Sequence, residues 1–379
     1  MKMCYFLLLV DSINGFFANQ GIALPISSLY KFILLGLMLA RLLSFKRPSP
    51  FLYLIYIATL FLYYSLYDYS IFSSSFSFIS RYLIIIILYE YLLVLSKHYN
   101  ISFELYRILK FNFIIIIFNV LLGLFGIGYG TYDHFGSKGF FYAGNETSGV
   151  LLTISPIILY TAIKRYTLRS YKFLTIMAGT IVAAVLLGTK SALLGIFIIL
   201  FFIIWKYSYI NKTYIIIFLG ATTTSICYYI YNHFSYMIDH FLFAFYKRDM
   251  GWRALLSSRD LYYDEIMTDF YNTDFISSFF GMGMPQKTIE IDFFDFLYIS
   301  GYIGVIFLII FWIINIVKSS RKGEIASLVL FTNFLLIGIS FLAGHIYSSA
   351  MAGPFIAIIN ILPIIEYQFR KVATEKHIH

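Results

Sequence analysis

FISRYLIIIILYEYLLVLSK, residues 78–97, carries only one arginine, one glutamate and one lysine among otherwise neutral, mainly apolar residues. A run of about 20 such residues is long enough for an α-helix to cross the hydrocarbon core of a bilayer. Similar runs recur on both sides of it and give about twelve candidate spans by this criterion, near residues 3–20, 25–43, 50–67, 78–97, 111–129, 147–163, 173–189, 191–207, 213–231, 295–317, 326–343 and 350–366. The sequence therefore predicts an all-α polytopic membrane protein.

The composition of the whole chain agrees with this fold class. Of the 379 residues, 60% are hydrophobic and 12% are charged, whereas an ordinary soluble domain is about 25% charged. These values exclude a soluble globular fold, and a disordered chain would need fewer apolar residues and more charges. The two cysteines, Cys4 and Cys227, lie in apolar runs and provide neither a disulfide framework nor a metal-ligand spacing.

The basic residues indicate how the spans are oriented. The net charge is +9, and most lysines and arginines fall in one alternating set of short connections, represented by Arg47, Arg107, Arg165, Lys212, Arg321 and Lys371. Short loops rich in these residues stay in the cytoplasm. We therefore expect an even number of spans with both termini cytoplasmic. This arrangement accounts for the basic charge without any nucleic-acid partner.

The span pattern divides the chain into three parts. Residues 1–231 hold the predicted transmembrane helices 1–9, and residues 295–379 hold helices 10–12 and a basic cytoplasmic tail. Residues 232–294 form one long connection, which is expected on the extracytoplasmic side. Its apolar spacing predicts short amphipathic helices on the outer membrane face, followed by a turn at residues 281–285 before the chain re-enters the membrane.

Polar residues open two of the predicted spans on the outer side. Asn145 and Glu146 either cap a helix, where a negative charge is favoured, or contribute to a site. Lys190 follows Gly188 between two apolar runs, which form either two helices joined by a tight turn or one helix and a re-entrant segment. The lysine either extends its ammonium to the membrane surface or directs a cation into an outward cavity.

The long connection contributes arginines, at Arg248, Arg253 and Arg259. A guanidinium group stays charged and binds phosphate through a planar fork of N–H donors. The alternative for Arg259 is an ordinary exposed ion pair with Asp260 or Asp264, which contributes little stability.

Carboxylates and one histidine complete the set of candidates. Glu290 and Asp292 precede a span and share one side of the chain if that segment is extended. They are suited to act as a general base or to hold a cation; the alternative is an unpaired acidic rim. His345, in the last outer turn, is either structural or a proton-transfer group. All these candidates share one predicted face, which suits a membrane enzyme acting on a lipid-linked anionic substrate.

The order of these motifs resembles the O-antigen ligase and polymerase superfamily, and specifically its Wzy-type polysaccharide polymerases. The resemblance rests on AGNE at 143–146, GTKSALLG at 188–195, LSSRD at 256–260, FGMG at 280–283, EIDFFDFL at 290–297, GYIG at 301–304 and GHIYSSAM at 344–351. It implies a GT-C-like fold and a glycosyltransferase of the bacterial cytoplasmic membrane that builds O-antigen, capsule or exopolysaccharide.

The resemblance also implies a substrate and partners. An oligosaccharide repeat on undecaprenyl diphosphate would be joined to the growing chain at the outer face of the membrane. Neither a cofactor nor a metal would be used. A flippase and a chain-length regulator would be the partner proteins to expect.

Individual residues take their expected roles from the same resemblance. Arg259 is the candidate for binding the donor diphosphate, and His345 is the candidate base or acceptor-orienting group, with Glu290 and Asp292 as rival bases. Lys190 occupies a place where the family often has arginine, so the charge is kept but the bidentate fork is lost. The remaining substrate-binding candidates are Arg248, Arg253, Asn145 and Glu146.

Two other functions remain open at this stage. A ligase that moves a finished glycan onto a terminal acceptor differs little from a polymerase in sequence. A flippase for lipid-linked oligosaccharides should show internal repeats, and the two halves of this chain show no convincing similarity. The sequence also leaves open whether Asp11, Arg81 and Glu90, which lie within or near spans, line the cavity or pair structurally.

Overall fold

A computed structural model describes residues 1–67, 69–132, 135–207, 259–319, 323–342 and 344–376. Its α-helices are α1 (Leu7–Asn19), α2 (Ile26–Ser44), α3 (Ser49–Tyr67), α4 (Tyr69–His98), α5 (Ser102–Leu122), α6 (Gly144–Arg165), α7 (Tyr171–Leu187), α8 (Lys190–Tyr207), α9 (Arg259–Tyr271), α10 (Phe275–Phe280), α11 (Asp292–Ser319), α12 (Glu324–Leu342) and α13 (Gly353–Lys376). Short 3-10 helices at Lys2–Phe6 and Gly123–Phe125 precede α1 and follow α5.

Within these ranges, eight helices are long and apolar enough to cross a membrane: α2 to α6, α8, α11 and α12. Helices α7 and α13 contain shorter apolar stretches. Every predicted span overlaps a helix except 213–231, which lies outside the described residues. The chain is therefore an all-α multi-pass membrane protein, as its hydropathy predicts.

One predicted span differs in position. The span expected at 111–129 is helix α5, which begins at Ser102 and ends at Leu122. Gly126 and Gly128 then adopt positive φ angles of 69° and 100°, which glycine tolerates and other residues rarely adopt. The chain thus leaves the helix and enters an antiparallel hairpin of β1 (Tyr129–Tyr132) and β2 (Phe135–Gly139).

The helices form an interior group and a peripheral group. In α13, residues 353–365 are all buried, and in α6 residues 147–157 are all buried. Small residues allow this close packing, since a Cβ added at Gly195 of α8 would lie 2.5 Å from a methyl carbon of Leu152 in α6. Helices α2 and α3 expose large apolar side chains such as Phe32 and Leu52, as expected for helices that face lipid.

Two of the three internal charges left open by the sequence have structural partners. The Asp11 carboxylate in α1 pairs with the Lys31 ammonium of α2 at 2.6 Å and accepts a hydrogen bond from Ser27. Glu90 in α4 accepts from Ser49 and, at 2.9 Å, from the hydroxyl of Tyr53. Both carboxylates therefore connect neighbouring helices. The third charge, Arg81, lies near the candidate site.

Candidate functional site

One end of the helix bundle collects nearly all the candidate residues. Helices α6, α8 and α11 begin there, and the turn at residues 344–352 joins α12 to α13 at the same end. We call it the site end. At the opposite end, Lys164 pairs with Glu324 at 2.6 Å. This grouping follows from the alternation of the spans, because every second connection of a helical bundle lies on the same side of the membrane.

Helix α11 is broken near its start, and the break separates a short arm from the rest of the helix. Gly301 has φ 63° and ψ −168°, so the helical hydrogen bonds are interrupted there. Two outside donors satisfy carbonyls of the arm: the Tyr64 hydroxyl reaches the oxygen of Ile299 at 2.6 Å, and the Met282 N–H reaches the oxygen of Tyr298 at 2.8 Å. The arm, residues 292–300, carries two buried carboxylates.

The first of these carboxylates holds the turn between α12 and α13. Asp292 is fully buried and accepts the backbone N–H groups of Ile346 at 2.6 Å, Tyr347 at 2.8 Å and Ser348 at 3.1 Å, together with the Ser348 hydroxyl. Hydrogen bonds to a charged acceptor are each worth about 1.5–3 kcal/mol. Asp292 therefore fixes the backbone on which His345 is placed.

His345 lies between the two carboxylates of the arm. Its Nδ1 atom is 3.5 Å from Oδ1 of Asp292, and its Nε2 atom is 3.6 Å from Oδ2 of Asp295. The ring meets the edge of Phe78 with a centroid distance of 5.9 Å. Its side chain is 19% exposed, whereas both aspartates are fully buried. Of these three side chains, the imidazole is therefore the one that solvent can reach.

The surroundings of His345 favour its charged form. Burial by itself lowers the pKa of the imidazole, but the nearby carboxylates of Asp292, Asp295 and Glu146 outweigh it and raise the pKa above the ordinary value of 6.5. The protonated imidazolium donates from both ring nitrogens. His345 therefore favours a state that offers hydrogen atoms to acceptors on either side.

Arg259 and Glu290 form an ion pair beside this cluster. Arg259, the first residue of α9, lies 3.0 Å from the Glu290 carboxylate. The Glu290 carbonyl accepts the Gly344 N–H at 2.9 Å, and Ile291 and Gly344 form a parallel bridge. The arginine is thereby connected through Glu290 to the residue that precedes His345. Its described ion pair is with Glu290.

Glu290 and Asp292 do not share one side of an extended strand. Glu290 has a positive φ of 61°, and Asp292 is the first residue of a helix. The two carboxylates consequently have different partners: Glu290 meets Arg259 and is 53% exposed, whereas Asp292 is buried against the histidine turn. The acidic rim without partners is therefore also excluded.

Asn145 and Glu146 lie in the first turn of α6 but do not cap it. The N-cap residue is Ala143, and no side chain caps this helix. Glu146 instead accepts the Ser349 hydroxyl at 2.7 Å and lies 3.8 Å from Arg81. A Cβ placed at Gly344 would lie 2.6 Å from the Asn145 amide nitrogen, so Asn145 packs directly on the histidine turn.

Lys190 is the first residue of α8. Gly188 ends α7 with φ 69°, and the Thr189 hydroxyl accepts the Ala192 N–H at 3.2 Å as the cap of α8. The structure thus shows two helices joined by a tight turn, one of the two predicted alternatives. Lys190 is exposed and lies within electrostatic range of Arg259, which places two cations near each other at the site end.

The structure brings seven of the predicted residues to the site end: Asn145, Glu146, Lys190, Arg259, Glu290, Asp292 and His345. Arg248 and Arg253 lie outside the described residues. Asp295 is a functional candidate that the sequence did not single out, although it is a charged residue beside the start of a predicted span. Arg81, which the sequence left open as a cavity-lining or a structural charge, lies 3.8 Å from Glu146 at the site end. Among the described residues, no group of His, Cys, Asp or Glu is arranged to hold a metal ion.

Comparison with known proteins identifies the family. The family described as O-antigen ligase like membrane protein matches residues 12–235 and 243–369. No curated protein and no solved structure matches the chain. The family match spans most of the sequence, including every residue placed at the site end. The chain therefore belongs to the O-antigen ligase-like family of membrane proteins, which process glycans at membranes.

Proposed function

We propose that this protein is a polysaccharide polymerase that joins oligosaccharide repeats carried on undecaprenyl diphosphate. The observation that carries the proposal is the arrangement at the site end. His345 lies between buried carboxylates, and a backbone hydrogen bond joins its turn to Glu290, the partner of Arg259. A proton-handling group and a phosphate-binding cation are therefore held in one place, as transfer from a diphosphate carrier requires.

The cations serve the donor substrate. When the glycosidic carbon of the growing chain leaves its carrier, the bond to the diphosphate oxygen breaks and that oxygen keeps the electron pair. Arg259 and Lys190 are positioned to stabilise the resulting charge, and electrostatic stabilisation of this kind is commonly the largest contribution to catalysis. Lys190 acts as a point charge, whereas Arg259 supplies a planar fork of donors.

His345 serves the acceptor substrate. The attacking hydroxyl of the new repeat needs a hydrogen-bond partner that orients it and a group that takes its proton. Asp292 is a poor candidate for either task, because four hydrogen bonds from the histidine turn already occupy its oxygens. Glu290 is paired with Arg259. His345 is partly exposed and thus meets the hydroxyl first.

The site end faces the extracytoplasmic side in this proposal, and both termini lie in the cytoplasm. The support is the distribution of basic residues, which fall mainly in the short connections of the opposite set. The repeats would arrive already flipped by a separate protein, and a chain-length regulator would be a further partner.

A ligase is the second candidate, because the matching family is described as O-antigen ligase like. It would use the same cations and the same histidine, with a terminal acceptor in place of a new repeat. A flippase would give no reason for Arg259 and His345 to be joined through a backbone link.

The size distribution of undecaprenyl-linked glycans, measured in cells with and without this gene, tests the proposal. A polymerase predicts that single repeats accumulate at the outer face when the gene is deleted. Long carrier-linked chains that stay unattached would indicate a ligase instead. Single repeats confined to the cytoplasmic face would indicate a flippase and would contradict the assignment of the site.

A further inference from the structure

Among the described carboxylates at the site end, Asp295 is distinguished by the hydrogen bonds that its two oxygens make. It is fully buried, and its Oδ1 atom accepts the Ile289 N–H at 2.7 Å. Its Oδ2 atom is buried, has no hydrogen-bond partner, and lies 3.6 Å from Nε2 of His345. A buried carboxylate oxygen without a hydrogen-bond donor is unfavourable. A donor from a bound molecule would therefore stabilise Oδ2 of Asp295.

The neighbouring carboxylates are already occupied. Asp292, three residues earlier on the same arm, receives three backbone N–H groups and a hydroxyl. Glu290 is held by Arg259. Glu146 accepts from Ser349 and lies beside Arg81. Of these four acids, Asp295 is the one with a buried carboxylate oxygen that receives no hydrogen bond from the described residues.

Nε2 of His345 and Oδ2 of Asp295 are close enough to share hydrogen bonds with one hydroxyl oxygen placed to the side of the line between them. A separation of 3.6 Å is too long for a direct hydrogen bond. An oxygen placed roughly 2.8 Å from each atom would complete both contacts with ordinary hydrogen-bond lengths. It would accept from the Nε2–H of a protonated His345 and donate its own hydrogen to Oδ2 of Asp295.

We propose that Asp295 is the general base of the transfer reaction and that His345 holds the acceptor hydroxyl against it. In this step, which rests on the proposed function, the hydroxyl oxygen bonds to the glycosidic carbon of the donor chain. The hydroxyl proton passes to Asp295, and the diphosphate departs with the electron pair of its broken bond. This base is none of the three residues that the sequence suggested, which were His345, Glu290 and Asp292.

The charges facing this pair come from several elements. Helix α4 contributes Arg81 and the phenol of Tyr82, which is within electrostatic range of Asp292 and Asp295. Helix α6 contributes Glu146, and the arm of α11 contributes Asp292. The histidine turn adds the phenol of Tyr347, near Asp292. The net effect of these groups on His345 is to favour the imidazolium that donates to the hydroxyl.

The test compares Asp295→Asn with Asp292→Asn in the full-length protein, reconstituted in vesicles with lipid-linked repeats. For Asp295→Asn we expect the rate of coupling at saturating acceptor to fall by about 10²–10⁴-fold. The acidic limb of the pH–rate profile should disappear, and elution on size-exclusion chromatography should be unchanged. Asp292→Asn should instead lower stability by loosening the histidine turn. Asp11→Asn, away from the site, is the control with unchanged pH dependence.

Two further measurements separate a base from a structural carboxylate. Formate should restore part of the rate of Asp295→Ala by entering the space left behind, and it should not restore Asp292→Ala. In His345→Gln the acidic limb should persist, because the base is still present, while the KM for the acceptor rises.

Either of two results would overturn this assignment. The first is an Asp295→Asn rate within tenfold of the native rate. The second is the loss of the acidic limb in His345→Gln together with the failure of formate to restore the rate of Asp295→Ala. If the protein proves to be a ligase, the same variants are measured with the terminal acceptor. Failure of the polymerase proposal is therefore distinct from failure of this one.

Discussion

Two buried acid–base clusters in the described part of the chain are built differently. Between α1 and α2, one carboxylate, Asp11, meets one ammonium, Lys31, at 2.6 Å. At the site end, His345 lies between two carboxylates, Asp292 and Asp295, at 3.5 and 3.6 Å. The first cluster is balanced in charge. The second keeps an excess negative charge even when the imidazole is protonated.

The difference separates a structural role from a chemical one. A single buried ion pair joins two helices, and removing one partner leaves an uncompensated charge. An excess of buried negative charge destabilises the fold, and such arrangements are typical of sites that move protons. Damage to the first cluster should thus lower stability, and loss of Asp295 or His345 in the second should lower activity.

The largest expected effect is the loss of activity in His345→Ala and Arg259→Ala. Each should lower the rate by about 10²–10⁴-fold, because the acceptor loses its orienting group or the leaving diphosphate loses its cation. Both variants should still insert, with glycan length and membrane protein level as the measurements. Lys164→Ala, in an exposed pair at the opposite end, is the control. Glycans of native length in both site variants would contradict the site.

The next effect tests the break in α11 that presents both aspartates. In Gly301→Ala, the new Cβ would lie 2.4 Å from the carbonyl oxygen of Phe279 at a φ of 63°. The unfavourable backbone conformation alone costs about 1–3 kcal/mol, and the clash adds to it, so thermal unfolding in detergent should occur at a lower temperature.

The matched control for this variant is Gly179→Ala in α7. No atom lies within 4 Å of the added Cβ there, and alanine favours a helix by about 0.5–1 kcal/mol over glycine. Equal unfolding temperatures for the two alanine variants would show that the break at residue 301 is not a strained junction.

A smaller effect is expected in the balanced cluster. Asp11→Asn should lower the free energy of unfolding by about 1–3 kcal/mol, because the Lys31 ammonium loses its partner in a largely buried place. Adding Lys31→Met should recover much of this loss, and the rate in the glycan-coupling assay should stay at the native level. A loss of activity without a loss of stability would break the distinction between the two clusters.

The smallest effect is expected for Lys190→Arg. The charge beside Arg259 is kept, so activity should stay within about tenfold of native, or roughly 1.4 kcal/mol in activation free energy. Lys190→Ala should lose more, since no cation replaces it. The comparison is made on initial rates in vesicles. If the arginine variant were as inactive as the alanine variant, the geometry of the ammonium would matter more than its charge.

Hydropathy was sufficient to predict most of the helices, because bilayer thickness sets their length and apolarity. The alternation of spans likewise predicted that Asn145, Lys190 and His345 would lie at one end. The break at Gly301 was not predictable, because the apolar pattern of α11 runs through it without interruption. Gly301 lies against the backbone of Phe279 and Gly281, a tertiary contact that the local sequence does not reveal.

The roles of the acids could not be read from the sequence either. Asp292 and Asp295 lie three residues apart and share one helix face. They differ because three backbone N–H groups of the histidine turn, more than fifty residues further along the chain, point at Asp292, whereas Asp295 accepts one, from Ile289. A sequence pattern identifies carboxylates as candidates. Hydrogen-bond donors from distant parts of the chain determine which buried carboxylate oxygen remains without a donor.

The histidine turn is held through its main chain, by N–H groups bonded to Asp292 and to the Glu290 carbonyl. Hydrogen bonds made by backbone N–H groups can form whichever side chains those residues carry. Substitutions at Tyr347 should therefore move His345 less than substitutions at Asp292, even though Tyr347 is nearer in sequence. A search for distant relatives should accordingly give most weight to two features: an acid at the start of a helix, as Asp292 in α11, and a histidine in the turn before a later helix, as His345 before α13. The residues between these two features can vary more freely, apart from Ser348 and Ser349, whose hydroxyls bond Asp292 and Glu146.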